Sequence, residues 1–139
     1  MLVHEVMSRK LITLKPDDVA YTAVKLMISN KISGLLVLEE GKAVGVVTMK
    51  DVFKNVLLAE KNVHETPVRD IMSKPVLSVH PLKRIEKAAE AMSRHHVKRL
   101  AVMDDNKNIM GIITAMDIVS KIPELIDVMF KTWVKPQWR

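Results

Sequence analysis

Two seven-residue stretches carry the side chains best suited to chemistry. Gly45-Val46-Val47-Thr48-Met49-Lys50-Asp51 and Gly111-Ile112-Ile113-Thr114-Ala115-Met116-Asp117 share the pattern Gly-x-x-Thr-x-x-Asp. A threonine where an apolar strand gives way to a helix offers a hydroxyl beside the N–H groups of the first turn, an arrangement that can hold phosphate. An aspartate three residues on lies one turn further along the same face. Its carboxylate accepts two hydroxyl hydrogen bonds at once, which suits the vicinal diol of a ribose. Glycine ahead of a buried strand admits another backbone or a flat ring, and the apolar neighbours can sandwich a purine. The same residues also spell a helix cap, in which Thr and Asp exchange bonds with the first-turn N–H groups. Residue types leave both readings open, and the two can coexist.

Other reactive residues form no comparable constellation. His95 and His96 are adjacent, so on a helix they project about 100° apart and cannot easily share one ion. The chain has no cysteine, hence no disulfide and no thiolate site. It shows no Ser-His-Asp order, no nucleophile elbow, and no Walker or Rossmann glycine pattern. No catalytic residue and no metal ligand is expected, and the chain is not read as an enzyme.

The elements that position the two motifs come from a duplication. Residues 3–38 repeat at an offset of 65, pairing Met7/Met72, Ser8/Ser73, Pro16/Pro81, Ala23/Ala88, Met27/Met92, Leu35/Leu100 and Val37/Val102. One extra residue in the second copy's turn moves the offset to 66, which pairs Gly45/Gly111, Thr48/Thr114 and Asp51/Asp117. Two copies suggest a pseudo-twofold pair rather than a solenoid. Residues 11–14 and 76–79 are short aliphatic runs ended by proline, which reads as strand and breaker. Asp17 or Asp18 is expected to cap a helix reaching about Asn30, with Val19, Ala20, Ala23, Val24, Met27 and Ile28 at helical spacing. Residues 35–38 and 44–48, joined at Glu40-Gly41, predict a hairpin of buried strands, and residues 100–103 and 109–114 predict another. Helices follow near residues 49–59 and 115–121, and short helical lead-ins precede each copy at 3–7 and 68–72. The fold class is α/β (α+β), a β-α-β-β-α unit written twice. Residues 1–59 form the first repeat, 60–67 a charged link and 68–121 the second. Residues 122–139 form a final helix from Pro123 and a tail with Trp133 and Trp138. The ten methionines are read as core filler.

This doubled unit resembles a tandem cystathionine-β-synthase (CBS) domain pair, free of any catalytic domain. VMSRKLITLKP and IMSKPVLSVHP look like that family's Met-Ser opening and proline-ended strand. GVVTMKDV and GIITAMDI match its Gly-aliphatic-x-Thr/Ser-x-x-Asp segment, and VKRLAVMDD resembles its second strand. The resemblance spans residues 3 to about 121. It implies two nucleotide sites, each combining the motif of one repeat with strand residues of the other. One would use Val46, Thr48 and Asp51 with Ser78, Val97, Lys98 and Arg99. The other would use Ile112, Thr114 and Asp117 with Thr13, Ile32 and Ser33. The first holds Lys98 and Arg99 for phosphate. The second has Ser33 and Gly34 at the corresponding places and is expected to be weaker and less selective for charge.

The resemblance therefore implies a regulatory sensor of an adenine nucleotide or other adenosyl compound, such as AMP, ADP, ATP or S-adenosylmethionine. It requires no cofactor and transmits occupancy to a partner. A homodimer is expected because Val52, Phe53, Val56 and Leu57 give the helix after the first hairpin more apolar surface than one small sheet can cover. The tail tryptophans pack on the protein itself or dock on a protein partner. Two rivals stand beside this reading. The net charge of +6 is uneven, +1 over residues 1–65 and +5 over 66–139, which fits a nucleic-acid binder. Aromatics are only 4% and are not interleaved with the basic residues, unlike a single-strand binder. A structural dimerisation module with vestigial pockets is the other rival. No stretch approaches a membrane span, and the N-terminus lacks a signal-peptide layout, so a cytoplasmic location is expected.

Overall fold

The computed structural model describes residues 1–121. The expected final helix, Trp133 and Trp138 lie outside the described residues. In chain order the elements are α1 (Val3–Val6), β1 (Thr13–Leu14), α2 (Ala20–Asn30), β2 (Gly34–Glu39) and β3 (Lys42–Thr48). α3 (Met49–Val52) then continues as a π-helical turn, Phe53–Leu57, and a 3₁₀ turn spans Val68–Asp70. The second copy supplies β4 (Ser78–Val79), α4 (Ile85–His95), β5 (Arg99–Met103), β6 (Ile109–Thr114) and α5 (Ala115–Val119). The described residues form two three-stranded sheets, ordered β1-β2-β3 and β4-β5-β6.

The compact units do not coincide with the sequence repeats. One unit comprises residues 10–77 and 104–109; the other comprises residues 1–9, 78–103 and the chain from Met110 onward. Each unit thus holds the sheet of one repeat together with the lead-in of the other.

In the unit of residues 10–77, β1 runs parallel to β2, with Thr13 opposite Leu36 and Leu14 opposite Val37. The strand is shorter than the aliphatic run 11–14 suggests, because only two residues find a partner. β2 and β3 form an antiparallel hairpin that closes at Glu39 opposite Lys42. Its two turn residues, Glu40 and Gly41, both have positive φ (51° and 77°), as the tight hairpin turn that follows strand twist requires. The core contains Leu14, Ala23, Met27, Leu35, Val37, Val47, Val52 and Val56, joined by Val68 and Ile71 of the lead-in.

The start of α2 corrects the expected cap. Its N-cap is Val19, which makes no side-chain cap bond. Asp18 instead accepts the Lys15 N–H at 2.7 Å, closing the turn before the helix. The orphan N–H groups of Ala20 and Tyr21 donate to the carbonyls of Thr66 (2.8 Å) and Val63 (2.9 Å). The charged link of residues 60–67 is therefore a folded strap, with Thr66 buried and its hydroxyl bonded to the Asn62 carbonyl at 2.7 Å. Main-chain carbonyls satisfy a helix end as well as a carboxylate does, without burying a charge.

In the other unit β4 pairs parallel with β5, Ser78 opposite Ala101 and Val79 opposite Val102. The N–H of Ile85 at the start of α4 donates to the Met1 carbonyl at 3.0 Å, again a main-chain solution. Val3, Ala88, Val102 and Ile113 are fully buried, and Met7, Met92, Leu100 and Ile118 nearly so. Met27 and Met92 are buried at matching helix positions, as core filler should be.

The two lead-ins are seated by the same bonds. The N–H groups of Val3 and His4 donate to the carbonyls of Lys83 and Pro81, and those of Val68 and Arg69 donate to Asp18 and Pro16. Further on, Ser8 and Ile112 exchange two bonds (2.8 and 2.9 Å), as do Ser73 and Val46 (2.8 and 3.0 Å). Glycine sits beside each bridge because a Cβ would collide. At Gly111 it would lie 2.5 Å from the Ser8 carbonyl oxygen; at Gly45 it would lie 2.4 Å from the Met72 sulfur. A methionine side chain can swing aside, whereas a bridged carbonyl cannot. Gly111→Ala should therefore destabilise the fold by about 1–3 kcal/mol, and Gly45→Ala by less. Urea denaturation of both variants checks the order.

Candidate functional site

Both motifs fold as capping boxes. Thr48 is the N-cap of α3: its hydroxyl accepts the Asp51 N–H at 3.2 Å, and Asp51 Oδ2 accepts the Thr48 N–H at 2.9 Å. Thr114 and Asp117 do the same for α5, at 3.1 and 2.8 Å. The first-turn N–H groups are largely spoken for. Met49 N–H donates to the Ser33 carbonyl (3.1 Å) and Ala115 N–H to the Lys98 carbonyl (2.9 Å), while the aspartate N–H serves the threonine. These short helices leave little free helix end for an anion, so a phosphate would have to be held by side chains.

The carboxylates are the groups still able to recognise a ligand, and they differ. Asp51 accepts the Thr48 N–H and hydroxyl (2.9 and 3.1 Å) on Oδ2 and the Ser73 hydroxyl (2.9 Å) on Oδ1. Asp117 accepts the Thr114 N–H on Oδ2, and among the described residues no other donor reaches its carboxylate. Both side chains are half-buried. Ser73 is a residue that motif reasoning passed over. The Met-Ser pair was visible in both copies, but its partner is remote in sequence and cannot be read from spacing.

The strand residues fall into place unit by unit. Thr13 is half-buried on β1, and Ser33 lies exposed just ahead of β2, whose Gly34 is opposite Thr48. Ile32 is exposed beside Ser33, and Val46 is half-buried on β3 with its backbone held by Ser73. In the other unit Ser78 is exposed on β4, and Val97 is half-buried with its N–H on the Met92 carbonyl. Lys98 is exposed, Arg99 opens β5 half-buried, and Ile112 is half-buried with its backbone held by Ser8. The grouping implied by the resemblance draws on both units. Each unit by itself brings together a different set: Thr48 and Asp51 with Ser33, and Thr114 and Asp117 with Lys98. The basic pair Lys98-Arg99 thus shares a unit with Asp117. His95 ends α4 and His96 is its left-handed C-cap (φ 55°), which gives the pair a structural place at a helix end.

Comparison with known proteins follows the same lines. The family model for the CBS domain matches twice, over residues 3–58 and 68–124. The chain is 32% identical over 125 residues to an uncharacterised protein of Methanopyrus kandleri, covering 89% of this chain and 64% of that one. It therefore spans less than two thirds of that relative's length. A protein with CBS domains from Burkholderia ambifaria superposes with a TM-score of 0.82 at 28% identity, over 88% of this chain and 93% of that one. The CBS domain pair of protein MJ0100, solved with 5'-methylthioadenosine and S-adenosyl-L-methionine, gives a TM-score of 0.79 at 28% identity, over 89% of this chain and 97% of that one. The mixed α/β architecture with two three-stranded sheets matches these solved domain pairs. With both repeats matched, the chain belongs to the CBS-domain family, as a tandem pair.

Proposed function

We propose that the protein is a regulatory module that binds an adenosyl ligand, an adenine nucleotide or a compound such as S-adenosylmethionine, and passes its occupancy to a partner. The observation that carries this reading is the pair of half-buried aspartates, each fixed by a threonine cap. A carboxylate held in one orientation can receive a ribose diol without further ordering. The domain pair of MJ0100, similar over nearly its whole length, is bound to two adenosyl compounds. Among the described residues the aspartates are held by capping bonds, which suits a binding role.

The placement of Lys98 and Arg99 changes which pocket should favour phosphate. The Lys98 carbonyl accepts the N–H of the first residue of α5, which supports grouping the basic pair with Thr114 and Asp117. We therefore assign phosphate selectivity to the pocket of Asp117, and the less charge-selective role to that of Asp51. This reverses the ranking that the cross-repeat grouping implies. The homodimer reading narrows as well. Val52 and Val56 are buried in their own unit, whereas Phe53, Leu57 and Leu58 are 55%, 66% and 77% exposed. An apolar strip of this kind fits a second copy of the chain.

Calorimetric titration with adenosine, AMP, ATP and S-adenosylmethionine tests the ligand reading. Asp117→Ala should weaken the tightest ligand at least about tenfold, since two hydrogen bonds to a charged group are worth about 1.5–3 kcal/mol each. Arg99→Ala should weaken AMP and ATP well beyond adenosine, because only the phosphate loses its fork. Equal losses for all three in Arg99→Ala would remove Arg99 from the phosphate contact, and no binding by the native protein would speak for vestigial pockets. The dimer reading predicts a dimeric mass by light scattering at tens of micromolar. Phe53→Asp with Leu57→Asp should give a folded monomer.

A further inference from the structure

We propose that the Ser73 hydroxyl is a built-in competitor for the Asp51 carboxylate, which makes the pocket of Asp51 the weaker one for any ribose-bearing ligand. The inference rests on the adenosyl reading above and adds a residue that sets the inequality between the two pockets. A carboxylate offers about four lone-pair sites. At Asp51 three donors already occupy it: the Thr48 N–H and hydroxyl on Oδ2 and the Ser73 hydroxyl on Oδ1. At Asp117, among the described residues, a single donor does, the Thr114 N–H on Oδ2. A cis-diol that spans both oxygens finds Oδ1 open at Asp117 and must displace Ser73 at Asp51.

The difference lies in the hydroxyl and not in the backbone. Ser73 exchanges two main-chain bonds with Val46, and Ser8, at the matching place, exchanges two with Ile112 at nearly the same distances. Both serines are exposed. The main chain of Ser73 is therefore fixed beside Asp51, while its hydroxyl can rotate to water when a ligand arrives. The competition is a modest tax and leaves the pocket usable. It also holds the empty carboxylate in one orientation.

The test uses the full chain and adenosine as the probe. Ser73→Ala is made alone and in an Asp117→Ala background that isolates the pocket of Asp51, with Ser8→Ala as the control. Calorimetry should show adenosine binding at the isolated pocket strengthened about threefold to tenfold by Ser73→Ala, the equivalent of one ordinary hydrogen bond. Ser8→Ala should change nothing. Without ligand, amide exchange at Thr48 and Asp51 should quicken several-fold in Ser73→Ala, while Thr114 and Asp117 stay as they are. Unchanged exchange at Thr48 and Asp51 overturns the competition whatever adenosine does. Weaker adenosine binding in Ser73→Ala also overturns it, since the serine would then position the carboxylate for the ligand. Two-site binding with neither affinity altered overturns the competition alone. Absence of adenosine binding in every variant and in the native protein overturns it together with the adenosyl reading.

Discussion

The rest of the structure depends on a two-bond backbone bridge made twice, Ser8 with Ile112 and Ser73 with Val46. Each bridge fixes a lead-in against the strand that ends in the Thr–Asp motif. The glycine next to it makes room: Gly111 for the Ser8 main chain, and Gly45 for the Met72 side chain. Glycine in a strand interior is unfavourable by itself. It persists here because any Cβ would meet a carbonyl or a methionine packed one residue away. Through the same bridges Val68 and Ile71, with Met72 packed against them, enter a core built mainly from the other sequence repeat. A duplicated gene segment has become two units that each require a piece of the other copy.

Local patterns made much of this fold legible. The helices α2 and α4 announce themselves by apolar residues at three- and four-residue spacing. The hairpin announces itself by Glu40-Gly41 between two aliphatic runs. The motifs announce themselves by appearing twice. All of these are relations between residues that are near in sequence. The exchange of lead-ins is not such a relation. Val3 and Val68 look like the first residues of their own repeats, and only tertiary packing decides which sheet they join. The α2 cap failed for the same reason. Asp17 and Asp18 stand where a cap is wanted, but carbonyls from residues 63 and 66, over forty positions away, reach the helix end first. A charged, proline-ended segment such as 60–67 reads as a link because charge and proline are local signals, and the main-chain acceptors that make it a strap are carried by every residue.

The candidate site shows the same division more sharply. The residue types of both pockets were evident, and so was the capping geometry that S/T-x-x-D spacing implies. Their grouping was not, because it depends on which strand start lies beside which helix start. Within each unit the hairpin itself answers that, since β2 begins opposite the end of β3 and Gly34 is opposite Thr48. An antiparallel hairpin must bring its first and last residues together. The strand-start residues of a repeat therefore lie by its own motif, and the basic pair Lys98-Arg99 comes to the end of β6.

Equal sequence motifs need not give equal sites. Thr48 and Thr114 cap with the same dihedral angles, near φ −113° and ψ 165°, and their aspartates return the same backbone bond. The backbone bonds of the two boxes are thus alike, and the difference comes from the hydroxyls that converge on each carboxylate, those of Thr48 and Ser73 at Asp51. At Asp51 a serine hydroxyl occupies the second oxygen, and the neighbouring strand start is neutral, Ser33-Gly34. At Asp117 the second oxygen is open among the described residues, and the strand start is Lys98-Arg99. On the proposed adenosyl reading, an open carboxylate oxygen and a basic strand start would supply both things that a phosphorylated ribose asks of a site: acceptors for its hydroxyls and cations for its phosphate. A satisfied carboxylate beside neutral residues has neither in full. Duplication supplies two copies of one frame. Residues outside the motif, the Ser73 hydroxyl at one carboxylate and the Lys98-Arg99 strand start near the other, then make the two surroundings unlike.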